Sequence, residues 1–359
     1  RQRQMCIRDR ILPILIAIIT TFVAISLLRK FAISIDLVDN PNNRKPHTGS
    51  IPLIGGIAMY IALVVSILAA KIDLNQYNYF LLGSLIVVIV GVLDDSRNIS
   101  IALRLFFQVL VAIIIVTAGN VVIVSLGDIL WVSDIVLNEW AYFVTIIAII
   151  AGMNAVNMTD GMHGLAGGNS LITFLAVVFL SKDIDWYTQS SVMISLLFCS
   201  ILPLFLIHNL CLGMAKSKRV FMGDAGSMLI GFTIAWVLID LSQGENRVFS
   251  PVTALWLFAM PLIEMISAIL RRLTSGKSPF EADLNHTHHI ILRLGVREEN
   301  TLILILSFSL LMAVIGILSE LYGVAEWVMF FWFLLLFGVY FFSYGLFLKN
   351  IKINSVSSD

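Results

Sequence analysis

The chain has 359 residues, of which 59% are hydrophobic and only 13% charged, and its formal net charge is zero. Soluble domains carry about 25% charged residues, so this composition excludes an ordinary soluble protein and predicts a membrane protein. The neutral balance excludes a bulk electrostatic attraction to nucleic acid, and we expect no nucleic-acid partner. The three cysteines, Cys6, Cys199 and Cys211, lack metal-ligand spacing and are interpreted as small apolar residues.

Eleven apolar runs are long enough, or nearly long enough, to cross a membrane, because a spanning helix needs roughly 20 mostly apolar residues. The sequence therefore predicts an all-α, polytopic integral membrane protein with about 11 transmembrane helices (10–11). Residues 121–138 alternate apolar and polar side chains over short stretches and are interpreted as a hairpin or a re-entrant segment. The apolar runs are 11–30, 52–70, 79–93, 102–118, 139–156, 164–180, 187–208, 222–240, 251–270, 301–320 and 325–348.

No linker or repeat divides these runs, so a single transmembrane domain is predicted over residues 11–348. A short polar tail is predicted over residues 349–359. Residues 1–10 are rich in arginine and do not begin with Met, and we interpret them as a tail of doubtful nativeness.

Lysine and arginine are distributed unevenly between the loops. Fourteen lie in four loops that would share one membrane face, and three lie in loops on the other face. Cytoplasmic loops carry the excess of basic residues, so the first face is predicted to be cytoplasmic. All six histidines fall on that face as well, and we therefore expect an active site on cytoplasmic loops. The four loops cover residues 29–51, 94–104, 208–221 and 271–300.

Two acidic motifs are candidates for a metal site. Asp94 and Asp95 close an apolar helix in GVLDDSRNIS, where adjacent carboxylates repel each other unless a cation or basic group lies nearby. Asp224 lies between glycines in FMGDAGSMLIGF. Mg²⁺ prefers such oxygen ligands together with substrate phosphates. The alternatives are a solvated helix end for Asp94 and Asp95 and a helix N-cap for Asp224, although the shared face favours a metal ligand at Asp224.

The segment NAVNMTDGMHGLAGG, residues 154–168, combines polar and flexible residues. Asn154, Asn157 and Asp160 are spaced three apart, so a helical turn would place them on one side. The glycines that follow allow a ligand to approach the backbone closely, and the next helix begins with free N–H groups that favour a phosphate. A plain glycine-rich turn is the alternative, but a turn does not need two Asn, an Asp and a His.

The segment SPFEADLNHTHHIILR, residues 278–293, concentrates histidines. His286, His288 and His289 lie between Asn285 and Arg293. A zinc site is the alternative, but the spacing H-x-H-H matches none of the usual zinc patterns, and no cysteine accompanies it. We interpret these residues as hydrogen-bond donors and cations that face a phosphate or a sugar.

Two further features are less informative. The first has two equally favoured interpretations, and the second has a structural one. Lys45 and His47 lie in DNPNNRKPHTGSIPLIGG, and either a phosphate-binding loop or a basic membrane-surface loop would have this composition. Glu264 lies inside an apolar run, where an ionisable residue is a functional candidate, but we favour a structural hydrogen-bonding role. No P-loop, G-x-S-x-G or H-E-x-x-H motif occurs, so ATP-driven transport and serine hydrolysis have no support.

The motifs VDNPNNRKPHTGSIPLIGG, LDDSRN, NAVNMTDGMHGL and FMGDAGS and the histidine segment occur in this order along the chain. Together they resemble the polyprenyl-phosphate N-acetylhexosamine-1-phosphate transferases of glycosyltransferase family 4, which also include the MraY translocases of peptidoglycan synthesis. The resemblance covers residues 11–348. The forms SPFEAD-x-x-H-x-HH and RK-x-H-x-G-x-x-P are similar to those of the WecA branch, which makes undecaprenyl-diphospho-GlcNAc.

The resemblance implies transfer of N-acetylglucosamine 1-phosphate from UDP-GlcNAc to undecaprenyl phosphate, with release of UMP, in the bacterial cytoplasmic (inner) membrane. That reaction is the first membrane step in the synthesis of a cell-surface polysaccharide. The resemblance also implies Mg²⁺ as the cofactor, and it leaves room for Mn²⁺ and for a homodimer. The alternatives are the same reaction with another UDP-N-acetylhexosamine, and a lipid or nucleotide-sugar transporter.

The resemblance also implies a role for each motif. Asp224 and Asn157 would bind Mg²⁺, and the catalytic residues would be Asp94, Asp95 and Asp160. Arg104 would bind the lipid phosphate or diphosphate, and the histidine segment would close over the sugar and diphosphate. The full set of substrate-binding residues would be Lys45, His47, Arg104, Asn154, His163, His286, His288, His289 and Arg293.

One position departs from the family pattern. Many bacterial relatives read D-G-x-D-G-L where this chain has Asp160-Gly-Met-His163-Gly-Leu. The histidine argues against a metal ligand or a base there, and we interpret His163 as a nucleotide contact.

Direct attack by the lipid phosphate is favoured, because a phosphate monoester with a second pKa of about 6 is already largely ionised at pH 7. The alternative is a double displacement through an aspartyl intermediate, with Asp224 as the candidate.

Overall fold

Long apolar helices account for most of the chain. The computed structural model describes residues 2–40, 49–69, 77–184, 189–279 and 285–356, and the side chains between residues 11 and 345 of these ranges. The α-helices are α1 Gln2–Ser34, α2 Gly55–Ala69, α3 Asn78–Arg97, α4 Ile101–Thr117, α5 Ala141–Thr159, α6 Leu165–Leu180, α7 Ser190–Asn209, α8 Gly223–Ser242, α9 Pro251–Leu257, α10 Ala259–Thr274, α11 Thr287–Arg293, α12 Glu298–Leu321 and α13 Glu326–Val356. Two short antiparallel strands, β1 Val38–Asp39 and β2 Ile51–Pro52, join α1 to α2.

The lengths of the helices confirm a multi-pass membrane protein but not the expected number of spans. In the described ranges seven helices are long and apolar enough to cross a membrane, or up to eight if the bent pair α9 and α10 counts as one span. Helices α2, α4 and α6 are apolar but have only 15, 17 and 16 residues. Their length is about 22–26 Å, against a hydrocarbon core of about 30 Å. The count of eleven spans is therefore not confirmed.

Helix α8 lies at the centre of the bundle. In its most apolar 18-residue window 94% of the residues are buried, compared with 17–56% in the six other long apolar helices of the described chain. Its sequence is apolar on every face, which is typical of a helix enclosed by other helices. Helices α2, α3 and α5 pack directly against it. The first turn of α8 is therefore surrounded by the ends of its neighbours.

Small residues allow the backbones of α3 and α5 to approach α8 closely. A Cβ atom added to Gly91 would lie 2.2 Å from the Cα of Ala225, and one added to Gly231 would lie 2.4 Å from the carbonyl oxygen of Gly152. Such contacts between small residues are a common means of helix packing in membranes. Gly91 lies one turn before Asp95, so this close approach brings the acidic end of α3 to the start of α8.

A sharp bend separates α9 from α10. The two helices meet at Phe258 with an angle of 84° between them. Pro261 is the third residue of α10, and proline has no N–H group to donate to the preceding turn, so a continuous helix would lose a hydrogen bond there. The bend redirects α10 and its buried Glu264 toward the histidine segment.

Residues 121–137 connect α4 to α5 without forming a helix. Ser125 and Val136 form an isolated antiparallel bridge, in keeping with the interpretation of this segment as a hairpin. Gln243, the residue after α8, accepts a hydrogen bond from the N–H of Ser125 at 3.0 Å. The hairpin is thus attached to the C-terminal end of α8, opposite the acidic motifs.

We expect Gly91→Ala to lower the free energy of unfolding by about 1–3 kcal/mol, because the added methyl group overlaps the backbone of α8. Gly338→Ala is the matched control, since a Cβ atom at Gly338 meets nothing within 4 Å. Thermal unfolding of the purified variants in detergent measures the difference. Equal unfolding midpoints for the two variants would contradict the close approach of α3 and α8.

Candidate active site

Asp95 of α3 holds the first turn of α8. Its Oδ1 accepts a hydrogen bond from the N–H of Asp224 at 2.8 Å, and its Oδ2 accepts one from the N–H of Ala225 at 3.3 Å. The first N–H groups of a helix have no partner within the helix, and they attract negative charge. Gly223 has φ +70°, and a Cβ atom there would lie 2.5 Å from Asp95 Oδ2. A glycine before Asp224 therefore permits this contact between helices.

Asn157 and Asp224, the two residues expected to bind a metal, lie side by side. The Asn157 amide, on the last turn of α5, donates to Asp224 Oδ1 at 2.6 Å and to the hydroxyl of Ser227 at 3.0 Å. Asp224 and Ser227 are three residues apart on α8 and so share one face of its first turn. The structure thus brings the two motifs together from different helices.

Asp94 points to a different neighbour from Asp95. Its Oδ2 accepts a hydrogen bond from Arg104 of α4 at 3.1 Å, with 8% of the Asp94 side chain exposed and 22% of the Arg104 side chain. Asp94 and Asp95 both lie close enough to Asp224 for like-charge repulsion. Three carboxyl groups therefore lie near one guanidinium group, and the like charges raise the cost of ionising all three.

The donor atoms of this acidic cluster, Asp94, Asp95, Asn157 and Asp224, fit Mg²⁺ better than zinc. A carboxylate and an amide provide the hard oxygen ligands that Mg²⁺ prefers. Within the described ranges no group of three or more His, Cys, Asp or Glu side chains is arranged to hold a metal ion. A structural zinc site needs four protein ligands, whereas Mg²⁺ is usually held by one or two carboxylates together with substrate phosphates and water.

His163 contacts the basic loop that precedes α8. Arg219 Nη1 lies 3.0 Å from His163 Nε2, and the imidazole ring lies 5.1 Å from the ring of Phe221. A guanidinium group can only donate, so Nε2 accepts, and His163 is neutral in this arrangement. An aspartate at this position would neutralise Arg219, but histidine leaves its positive charge in place. Arg219, one of the fourteen basic residues in the predicted cytoplasmic loops, is therefore a candidate anion contact.

Asn209 forms hydrogen bonds to both the glycine-rich segment and the extended residues 220–221 before α8. Its side-chain oxygen accepts from the N–H of Gly164 at 2.7 Å, and its amide donates to the carbonyl of Val220 at 3.0 Å. Both contacts are buried. Sequence reasoning missed Asn209, for which the one signal was a polar residue at the end of an apolar run.

The loop before α2 is hydrogen-bonded to Phe221, in the same extended segment 220–221. The N–H of Phe221 donates to the carbonyl of Pro52 at 2.9 Å, and the N–H of Gly55 donates to the carbonyl of Phe221 at 2.9 Å. The C-terminal part of the motif DNPNNRKPHTGSIPLIGG is therefore hydrogen-bonded to Phe221, just before α8. Lys45 and His47 lie outside the described residues.

The histidine segment approaches the end of α5 through His288. This side chain is 3% exposed, and its Nε2 has no hydrogen-bond partner among the described residues. A Cβ atom at Gly161 would lie 2.5 Å from Nε2, so a glycine is needed there. The rings of His286 and His288 are stacked, with an interplanar angle of 7°, and His289 lies 4.1 Å from His288.

Burial, followed by the nearby charges of His289 and His286, lowers the pKa of His288 to about 3. His288 is therefore neutral near pH 7. Of the two roles predicted for this segment, a hydrogen-bonding group suits His288 better than a cation, because protonation would place an uncompensated charge in a buried position. His288 can still donate or accept a hydrogen bond through Nε2.

Sequence comparisons identify the family. The model of "Glycosyl transferase family 4" matches residues 77–242. The relative named "Undecaprenyl-phosphate alpha-N-acetylglucosaminyl 1-phosphate transferase" from Escherichia coli (strain K12) is 39% identical over 323 residues, which cover 90% of this chain and 86% of the relative. Its namesake from Haemophilus influenzae is 40% identical over 335 residues, with 92% and 93% coverage.

The chain belongs to glycosyl transferase family 4. The family predicted from the motifs is thereby confirmed. The segment matched by the family 4 model contains all four residues of the acidic cluster and Arg104, but it ends before the histidine segment begins.

The remaining predicted site residues lie in different surroundings. The amide of Asn154 donates to Gln108 at 2.9 Å, so it faces the interior between α4 and α5. Asp160 lies exposed at the end of α5, and Arg293 lies exposed on α11, 3.4 Å from the side-chain oxygen of Asn285. Their roles in substrate binding and catalysis stay predictions.

We expect Asp95→Asn to lower the free energy of unfolding by about 1 kcal/mol, because an amide replaces one acceptor oxygen with donors that face backbone N–H groups. Asp183→Asn is the control, since Asp183 is exposed in the loop after α6. Thermal unfolding in detergent measures both. A midpoint for Asp95→Asn as high as that of the control would show that Asp95 does not hold α8.

Proposed function

We propose that this chain transfers N-acetylglucosamine 1-phosphate from UDP-GlcNAc to undecaprenyl phosphate, giving undecaprenyl-diphospho-GlcNAc and UMP. The observation that carries the proposal is the acidic cluster beside Arg104, formed where α3, α4, α5 and α8 meet. Such a cluster suits a reaction between two phosphate-bearing substrates. The names of relatives about 40% identical over most of their length support these substrates.

The proposed site lies on the cytoplasmic face of a bacterial inner membrane. The bias of fourteen basic residues against three in the loops supports this orientation. A UDP-sugar is made and held in the cytoplasm, so the acidic cluster would meet its water-soluble substrate there, while the lipid substrate would arrive from the bilayer. A transporter would instead place its polar residues near the middle of the membrane, often in broken helices.

Asp224 and Asn157 are the proposed ligands of Mg²⁺, or of Mn²⁺ in its place. When bound, the metal would offset charge on the diphosphate of the UDP-sugar. The chain itself holds these ligands in position: Asp95 binds the backbone of α8 at Asp224, and Ser227 accepts a second hydrogen bond from the amide of Asn157.

Direct displacement is the proposed mechanism. An oxygen of the lipid phosphate forms a bond to the β-phosphorus of UDP-GlcNAc, and the bond from that phosphorus to the oxygen of UMP breaks. Arg104 would bind the lipid phosphate and reduce the repulsion between two anions, while Asp94 orients Arg104 through their ion pair. A general base is not required, since the phosphate monoester is already largely ionised at pH 7.

We expect Asp224→Asn to lower turnover by about 100-fold or more, because it removes the charged metal ligand. Asp94→Asn should also lower turnover but leave the affinity for UDP-GlcNAc unchanged. Asp240→Asn is the matched control, since Asp240 lies near the other end of α8 and accepts a hydrogen bond from Ser191 at 2.5 Å. Normal turnover in Asp224→Asn would overturn the assignment of the metal ligands.

The assay combines purified protein, labelled UDP-GlcNAc, undecaprenyl phosphate and Mg²⁺. We expect labelled lipid and UMP in equal amounts, and loss of both when the metal is chelated. UDP-GalNAc in a parallel reaction tests the choice of sugar. Labelled lipid without UMP, or uptake of the nucleotide sugar into vesicles without labelled lipid, would contradict the proposed reaction.

A further inference from the structure

Four side chains from α10 and α13 hold the residues just before and at the start of α11. Glu264 and Arg271 are two turns apart on α10, and Tyr340 and Tyr344 are one turn apart on α13, so each pair lies on one face of its helix. Glu264, Arg271 and Tyr344 form hydrogen bonds with residues 285–287. Tyr340 donates to Glu264, and its hydroxyl lies against that of Thr287. We call these four residues the histidine clamp. The clamp lies beyond residues 77–242, the segment that the family model matches.

The first level of the clamp is centred on the carboxylate of Glu264. Its Oε1 accepts from His286 Nδ1 at 3.1 Å and from the N–H of Thr287 at 3.0 Å. Its Oε2 accepts from the hydroxyl of Tyr340 at 2.5 Å and from the hydroxyl of Thr287. Glu264 is only 3% exposed. Burying a carboxylate is costly unless hydrogen bonds compensate, and here four donors converge on it.

The second level holds the backbone at Asn285. Arg271 Nη2 donates to the carbonyl of Asn285 at 2.8 Å, and the hydroxyl of Tyr344 donates to the same oxygen. The guanidinium group of Arg271 lies 3.9 Å above the ring of Tyr344, which is the geometry of a cation–π contact. The chain is therefore fixed on both sides of the backbone of His286.

The clamp determines the orientation of the first imidazole. A carboxylate can only accept, so His286 Nδ1 must carry a proton, and its Nε2 points away from Glu264. The ring of His286 is parallel to that of His288, with 5.9 Å between the ring centroids. The Nε2 atom of His288, which has no hydrogen-bond partner within the described ranges, lies against Gly161 just after α5. A rotation of His286 would change its contact with the His288 ring.

We propose that Glu264 and Tyr340 are positioning residues that fix His286 and His288 over the diphosphate of the substrate during transfer. The proposal rests on the proposed function for its chemistry and on the clamp for its geometry. A purely structural role would affect the amount of folded protein but not the turnover of each folded molecule. Misplacement of a catalytic contact by about 1 Å can lower turnover by about 100-fold.

Glu264→Gln and Tyr340→Phe test the proposal, and Glu320→Gln is the matched control. Glu320 lies in the last turn of α12 and likewise accepts several hydrogen bonds, from Ser250 and Thr253. The histidine segment lies at the opposite end of that helix. Turnover and KM for UDP-GlcNAc are measured per folded molecule, with unfolding midpoints recorded in parallel.

We expect Glu264→Gln to lower kcat by about 10–100-fold with KM for UDP-GlcNAc within about threefold of the original. Tyr340→Phe should lower kcat less, because three of the four donors to Glu264 remain. Glu320→Gln should lower the unfolding midpoint without a change in kcat. An unchanged kcat in Glu264→Gln, or an equal loss in Glu320→Gln, would overturn the proposal.

Hydrogen–deuterium exchange provides a readout that does not depend on activity. In Glu264→Gln the N–H of Thr287 loses its charged acceptor, so residues 285–293 should exchange faster than in the unaltered chain or in Glu320→Gln. Unchanged exchange of residues 285–293 would contradict the inference that Glu264 holds the start of α11. An unaltered chain that makes no lipid-linked sugar would overturn the proposed function instead, and the exchange result would still decide whether the clamp exists.

Discussion

The contact on which the site depends is the one between Asp95 and the first turn of α8. Helix α8 is enclosed by its neighbours, so its free N–H groups must find acceptors within the protein. The carboxylate of Asp95 supplies two of them and joins the end of α3 to the start of α8. The same contact sets the position of Asp224 against Asn157. Asp95, which the family resemblance predicts to be catalytic, thus has a structural role.

The site is built from two halves on different helices. The acidic half comes from α3, α4, α5 and α8, and it collects the carboxylates, Asn157 and Arg104. The histidine half comes from α11 and is held by α10 and α13. They meet where the His288 ring lies against Gly161, at a distance that a larger residue would not permit. A neutral His288 at this junction can form hydrogen bonds to a substrate without adding charge to a buried position.

The motifs predicted the family and the membrane architecture, because both are expressed in local composition and in the order of short segments. They also indicated that Asp224 and Asn157 belong together. They could not predict the separate directions of Asp94 and Asp95, since adjacent residues on a helix diverge and their partners depend on how helices pack. The roles of Tyr340 and Tyr344 were equally hidden, because a tyrosine in an apolar run has no distinctive pattern. The number of spans stays unconfirmed, because helices α2, α4 and α6 are apolar but have only 15–17 residues.

In the proposed reaction the acidic cluster, and not the histidine segment, would hold the metal. The most direct test is a structure determined with Mn²⁺ and UDP-GlcNAc, in which anomalous scattering locates the metal without reference to activity. We expect one strong peak, with Asp224 and Asn157 as its protein ligands. A peak coordinated by His286, His288 or His289, with none at Asp224, would contradict it.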